Sequence, residues 1–87
     1  MTSTSANIRN GVWIEISNNE NYVLQNKSND GYTLLVKSES VMPTSIDGSI
    51  EVKDSINNGI LRGRIWATSK DGVIPVTYIV GAEAGVS

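Results

Sequence analysis

No segment of this chain carries apolar residues at helical spacing. Alternation recurs instead: every second residue is apolar over short stretches, and turn-forming residues close each one. These stretches return roughly every 8–13 residues, the rhythm of an all-β sandwich or barrel. The cleanest is Leu61–Ala67. Leu61, Gly63, Ile65 and Ala67 fall on one side of an extended strand, and Arg62, Arg64 and Trp66 on the other. Asn58-Gly59 precedes it and Asp71-Gly72 follows it, so the pattern predicts a central strand with a hairpin on either side.

The other segments read the same way. Val12–Ile16 and Tyr22–Gln25 are separated by the turn-rich Ser17-Asn18-Asn19-Glu20 and are expected to form a hairpin. Tyr32–Lys37 follows the loop ending at Asp30-Gly31. Leu34 and Leu35 point to opposite faces there, which predicts cover on both sides. Ser38–Gly48 reads as a longer loop holding Met42-Pro43, and Ser49–Lys53 as a fourth strand. Val73–Val80 places Ile74, Val76, Tyr78 and Val80 on one face, while Pro75 removes a ladder donor and favours an edge strand or a bulge. The expected fold is therefore an all-β, small antiparallel β-sandwich or barrel of about six to seven strands. It spans residues 8–81, with a flexible N-terminal arm over 1–7 and a flexible C-terminal tail over 82–87.

A chain of 87 residues is one domain. At this size about 60–65% of the unfolded surface is buried on folding, which leaves a modest core. The chain has no cysteine and no histidine, so disulfides and the usual zinc ligand sets are excluded. Self-association or docking on a larger assembly is the remaining ordinary source of buried area. Seven basic residues against nine acidic ones give a net charge of −2, which does not steer the chain toward nucleic acid. No apolar run approaches the length of a membrane-spanning helix, and the first ten residues lack a secretory apolar core, so synthesis without export is expected.

Arg62, Arg64 and Trp66 form the candidate interface. Arginine and tryptophan on one strand face can stack a base or a sugar ring, and both are enriched at protein–protein hot spots. The third reading puts Trp66 in the core and pairs the arginines with Glu51, Glu15 or Asp54 across the sheet. Trp13 faces the same choice, with packing favoured. Glu39, Asp47, Glu51 and Asp54 are too scattered for a calcium loop, and the chain is too small for a glycosidase cleft. The serines have no histidine to activate them. No catalytic group, cofactor site or metal site is expected. The Asn26-Lys27-Ser28 sequon carries no weight without a signal peptide.

Several phrases taken in order resemble a group of small β proteins encoded among the virion genes of tailed bacteriophages. They are Gly11-Val12-Trp13-Ile14-Glu15-Ile16, then Tyr22-Val23-Leu24-Gln25-Asn26 leading to Tyr32-Thr33-Leu34-Leu35-Val36. Pro43-Thr44 with Asp47-Gly48 comes next, and Ile65-Trp66-Ala67-Thr68-Ser69 last. The resemblance covers most of Gly11–Val80 and rests on short, apolar motifs. It implies a non-enzymatic virion component: a capsid decoration (cementing) protein that binds and stabilises the head lattice, or a tail or neck accessory subunit. Its implied partners are its own copies, as a trimer or dimer, and a major capsid or tail protein, with neither membrane nor nucleic acid. The alternative is a small β-barrel binding module for carbohydrate or single-stranded nucleic acid that uses Arg62, Arg64 and Trp66.

Overall fold

In the computed structural model, which describes residues 3–81, eight strands follow one another with no helix among them. They are β1 (Thr4–Arg9), β2 (Ile14–Asn18), β3 (Tyr22–Asn26), β4 (Leu34–Ser38), β5 (Ile50–Val52), β6 (Ser55–Asn57), β7 (Arg64–Ser69) and β8 (Val73–Val80). One sheet has the order β1-β8-β3-β6 and the other β2-β7-β4-β5, with every strand pairing antiparallel. The pairs β1–β8, β2–β7, β3–β6 and β4–β5 are those of one long two-stranded ribbon doubled back at the β4–β5 loop. Folding that ribbon over itself adds β3–β8 and β4–β7 and closes two four-stranded sheets. This connectivity is the eight-stranded jelly roll, a sandwich rather than a closed barrel.

The ribbon turns from one sheet to the other at three corners. At each, the two connecting segments run side by side and an asparagine amide joins them. Asn10 Nδ2 donates to the Ser69 and Lys70 carbonyls at 3.0 and 2.9 Å. Asn58 Nδ2 donates to Asn21 Oδ1 at 3.0 Å, and the buried Tyr22 hydroxyl donates to the Leu61 carbonyl at 2.7 Å. Asn26 Nδ2 donates to the Tyr32 and Val52 carbonyls at 2.9 and 3.1 Å while its Oδ1 accepts from Ser28 N–H. A ladder interrupted at a corner leaves backbone groups that need partners, and an amide supplies donor and acceptor together.

The core lies between the sheets: Ile8, Tyr22, Leu24, Ile56, Ile74 and Val76 from one, and Ile16, Leu34, Val36, Val52, Ile65 and Ala67 from the other. The alternation at β7 is correct in its faces, since Ile65 and Ala67 point inward and Trp66 points away from the core. Leu34 and Leu35 are both buried on opposite faces of β4, as their adjacency requires.

Several expectations are corrected. β7 is an inner strand, but its partners are β2 and β4, and its chain neighbours β6 and β8 lie in the other sheet. The Asn58-Gly59 and Asp71-Gly72 turns are therefore corners, not hairpins. β2 and β3 likewise belong to different sheets. Thr4–Asn7 is not an arm: it forms most of β1, held to β8 in continuous register. Met1, Thr2 and the 82–87 tail lie outside the described residues. Pro75 sits on inner strand β8 and not at an edge. It is tolerated because its backbone faces the β3 side one residue past the last β3 pair, Asn26–Val76, where its carbonyl still accepts from Lys27 N–H at 2.8 Å.

Replacing Asn26 by Ala strands the Tyr32 and Val52 carbonyls. It is expected to lower unfolding stability in urea by about 2 kcal/mol. Asn29→Ala, in the same loop and exposed, should stay within about 0.5 kcal/mol of wild type. Equal effects at the two positions would remove the corner argument. Burial pushes the Tyr22 hydroxyl from 10.0 up to about 12. The unfolded chain releases this proton first as pH rises, so the folded state loses stability between about pH 10 and 12 and keeps this contribution in full below that window. Denaturant titrations across the window should show Tyr22→Phe with a flatter decline than wild type.

Candidate functional site

The side of the β2-β7-β4-β5 sheet turned away from the core is where the candidate residues lie, and it is not bare. The segment between β4 and β5, residues 39–49, crosses it. Trp66 Nε1 donates to the Glu39 carbonyl at 3.0 Å, Arg64 Nη1 to the Ser40 carbonyl at 2.8 Å, and Lys37 Nζ to the Ser45 carbonyl at 3.2 Å. Leu35, Trp66, Thr68 and the loop's own Pro43 are buried there. The outer face is thus mixed: Leu35, Trp66 and Thr68 are buried on it beside the charged Glu15, Lys37 and Arg64, and the tip of the same ribbon is bonded across it.

Arg64 and Trp66 share this face, as the alternation predicts. The guanidinium lies over the indole, 4.8 Å from the ring centroid, and is ion-paired with Glu15 on β2. Of the three carboxylates proposed as cross-sheet partners, Glu15 is the one Arg64 takes. Glu51 instead meets Lys70 at 2.9 Å, and this hydrogen bond with its charge attraction lowers the Glu51 carboxyl and raises the Lys70 ammonium. Arg62 does not join them. It precedes β7, its Nε donates to the Asn58 carbonyl at 3.0 Å, and it belongs to the β6–β7 corner. Gly63 breaks the alternation between the two arginines. Its φ of 110° lies in the left-handed region, and a Cβ there would sit 2.6 Å from Ser38 Oγ.

The stacking face expected of Arg62, Arg64 and Trp66 is therefore not formed. Trp66 keeps only 8% of its surface, under the loop and the Arg64 guanidinium. The Trp66 ring is not open in this arrangement to stack a base or a sugar. Around Arg64, a shallow recess of about 370 Å³ is lined by Asn18, Asn19, Ser38, Glu39 and Ser40. Its charges are already matched: Arg64 with Glu15, and Glu39 with Lys37 at 3.0 Å. Among the described residues no cluster of acidic side chains could hold a metal ion.

What sequence reasoning missed is the outward side of the 39–49 loop. Val41, Met42 and Ile46 are 66, 57 and 53% exposed, and Val12 from the β1–β2 connection is 50% exposed. Val12 and Met42 line one groove of about 330 Å³ together with Trp13 and Pro43. Val41-Met42 was visible as an apolar pair in a predicted loop, and its position beside Val12 comes from the fold alone. The loop is held by the three bonds from the sheet and by two of its own, Ser49 N–H to the Ile46 carbonyl at 3.1 Å and Asp47 N–H to Ser45 Oγ at 3.1 Å. It presents apolar side chains from a fixed backbone.

Comparison with protein-family models, curated proteins and solved structures found no match to this chain. In a Trp13→Phe protein the remaining tryptophan, Trp66, should emit at short wavelength and resist iodide quenching. A red-shifted, readily quenched emission would return the stacking reading to consideration.

Proposed function

We propose that this protein is a non-enzymatic assembly subunit that docks on a larger protein surface through the 39–49 loop and Val12, and that it serves as a decoration protein on a tailed-phage head. The observation that carries the docking reading is the set of exposed apolar side chains on a loop hydrogen-bonded to the sheet. Burying one exposed Val, Ile or Met side chain contributes about 1.5–3 kcal/mol, and the bonds that tie the loop to the sheet reduce the ordering that binding would require. Val12 and Met42 line one groove, and Val41 and Ile46 are exposed on the same loop as Met42, so these side chains have apolar surface available for a partner to bury. The virion assignment rests on the resemblance of the Trp13, Leu24-Gln25-Asn26 and Ile65-Trp66-Ala67 segments, and jelly rolls are frequent in viral capsid proteins. A tail or neck position would use the same docking chemistry.

The test is co-sedimentation with phage heads stripped of accessory proteins. Wild type should pellet in a fixed ratio to the lattice. Val41→Asp with Met42→Asp, both at exposed positions, should lose most of that binding with an unchanged circular dichroism spectrum. Heads that leave wild type in the supernatant would overturn the virion assignment, and binding indifferent to the double substitution would overturn the docking face.

A further inference from the structure

A sandwich of two sheets has four edges, and three of these are blunted. β5 and β6 are three residues each, and β2 carries a bulge between Glu15 and Ser17. Short strands and bulges are ordinary means of stopping one sheet from pairing with another. The fourth edge, β1, has none of these. Its six residues, Thr-Ser-Ala-Asn-Ile-Arg, run in unbroken register with β8, without proline, lysine or bulge. Among the described residues no strand pairs with its outer side.

The backbone groups that face outward can be assigned. Asn10 N–H donates to the Gly72 carbonyl, and the Pro75 carbonyl accepts from Lys27 on the far side of β8. In an antiparallel ladder successive residues turn their N–H and C=O to opposite sides. The groups of Thr4, Ala6 and Ile8 therefore meet β8, and those of Ser5 and Asn7 point out, with Arg9 N–H beside them. The Arg9 carbonyl is already taken, by Val12 N–H at 3.2 Å and Thr68 Oγ1 at 3.4 Å. Ile8 enters the core, whereas the side chains of Ser5, Asn7 and Arg9 are exposed.

We propose that β1 pairs antiparallel with β1 of a second copy, about a two-fold axis at Asn7, joining two four-stranded sheets into one of eight strands. The arrangement of free groups selects this occupant. Ser5, Asn7 and Arg9 are spaced two apart, so a second β1 placed antiparallel brings Asn7 opposite Asn7 and Ser5 opposite Arg9. The two Asn7 residues then exchange N–H and carbonyl across the axis, and each Arg9 N–H meets the partner's Ser5 carbonyl, about four main-chain hydrogen bonds. The Ser5 N–H stays outside the pairing because the Arg9 carbonyl is engaged within its own chain. Such a contact is self-complementary and closes at two copies. It selects the dimer over the trimer, and it uses a different part of the molecule from the docking loop.

Asn7→Pro is the decisive variant. It removes an N–H that points away from β8, so the intramolecular ladder loses nothing, while the proposed axis loses its central bonds. Light scattering behind size exclusion, from micromolar to sub-millimolar protein, should show wild type reaching twice the 9.4 kDa chain mass and Asn7→Pro remaining at the chain mass with the same circular dichroism spectrum. If Asn7→Pro fails to fold, Asn7→Lys decides, since it sets two ammonium groups opposite each other across the axis and should also give monomer. A wild type that is monomeric throughout or trimeric, or a folded variant that still dimerises, overturns the proposal. Val41→Asp with Met42→Asp should leave the dimer intact, which separates failure of this contact from failure of the docking loop.

Discussion

Side-chain amides at the three corners are what the rest of the structure depends on. An antiparallel ribbon satisfies its backbone by pairing strand with strand, and folding it across itself interrupts that pairing wherever it crosses between sheets. Asn10, Asn26 and Asn58 stand at those interruptions and bond carbonyls or amides on the neighbouring segment. Serine or threonine would bring one donor where Asn26 uses two donors and an acceptor. The core then fills the space the corners define, with Tyr22 spanning both roles: its ring is in the core and its hydroxyl ends at the Leu61 carbonyl of a corner.

The tip of the ribbon has a second consequence. A two-layer sandwich this small normally leaves the outer face of each sheet to water. Here β7 is buried from Ile65 through Ser69, with the start of the 39–49 loop bonded to Trp66 on the outer face and the Arg9 carbonyl bonded to Thr68. The loop caps the Trp66 indole and buries its own Pro43, while Val41, Met42 and Ile46 stay exposed. A chain seeking only solubility would carry polar residues at those three positions. The proposed docking contact would bury these side chains.

Local signals carried the strand faces well and the pairings poorly. Alternation placed Ile65 and Ala67 opposite Trp66, and Leu34 opposite Leu35, because strand parity depends only on adjacent residues. An Asn-Gly or Asp-Gly pair, by contrast, reports a tight turn and not whether the chain returns beside itself or crosses to another layer. That choice is made by contacts such as Asn10 with Ser69 and Lys70, some sixty positions away. Thr4, Ser5 and Asn7 are polar, and that composition alone predicts an arm rather than β1. It is a strand because β8 offers a long inner edge to it. β6 has no sequence signature, because three residues, Ser-Ile-Asn, show no period. The exposure of Trp66 was equally out of reach, since the carbonyl that caps its indole belongs to Glu39.

The two proposed contacts lie on different sheets, and that separation matters for a domain of 87 residues. The β1 edge belongs to one sheet, while the docking loop lies across the outer face of the other. Neither contact consumes the side chains of the other. One loop with three exposed apolar residues, joined by Val12 from the β1–β2 connection, offers a small interface, of the size that gives weak, exchanging complexes. A pair joined through β1 carries two such loops on a single rigid sheet. When such a pair meets a repeating surface, its second docking event is intramolecular, and avidity rises with no new contact. Edge pairing would in this way supply the affinity that the modest size of the domain withholds.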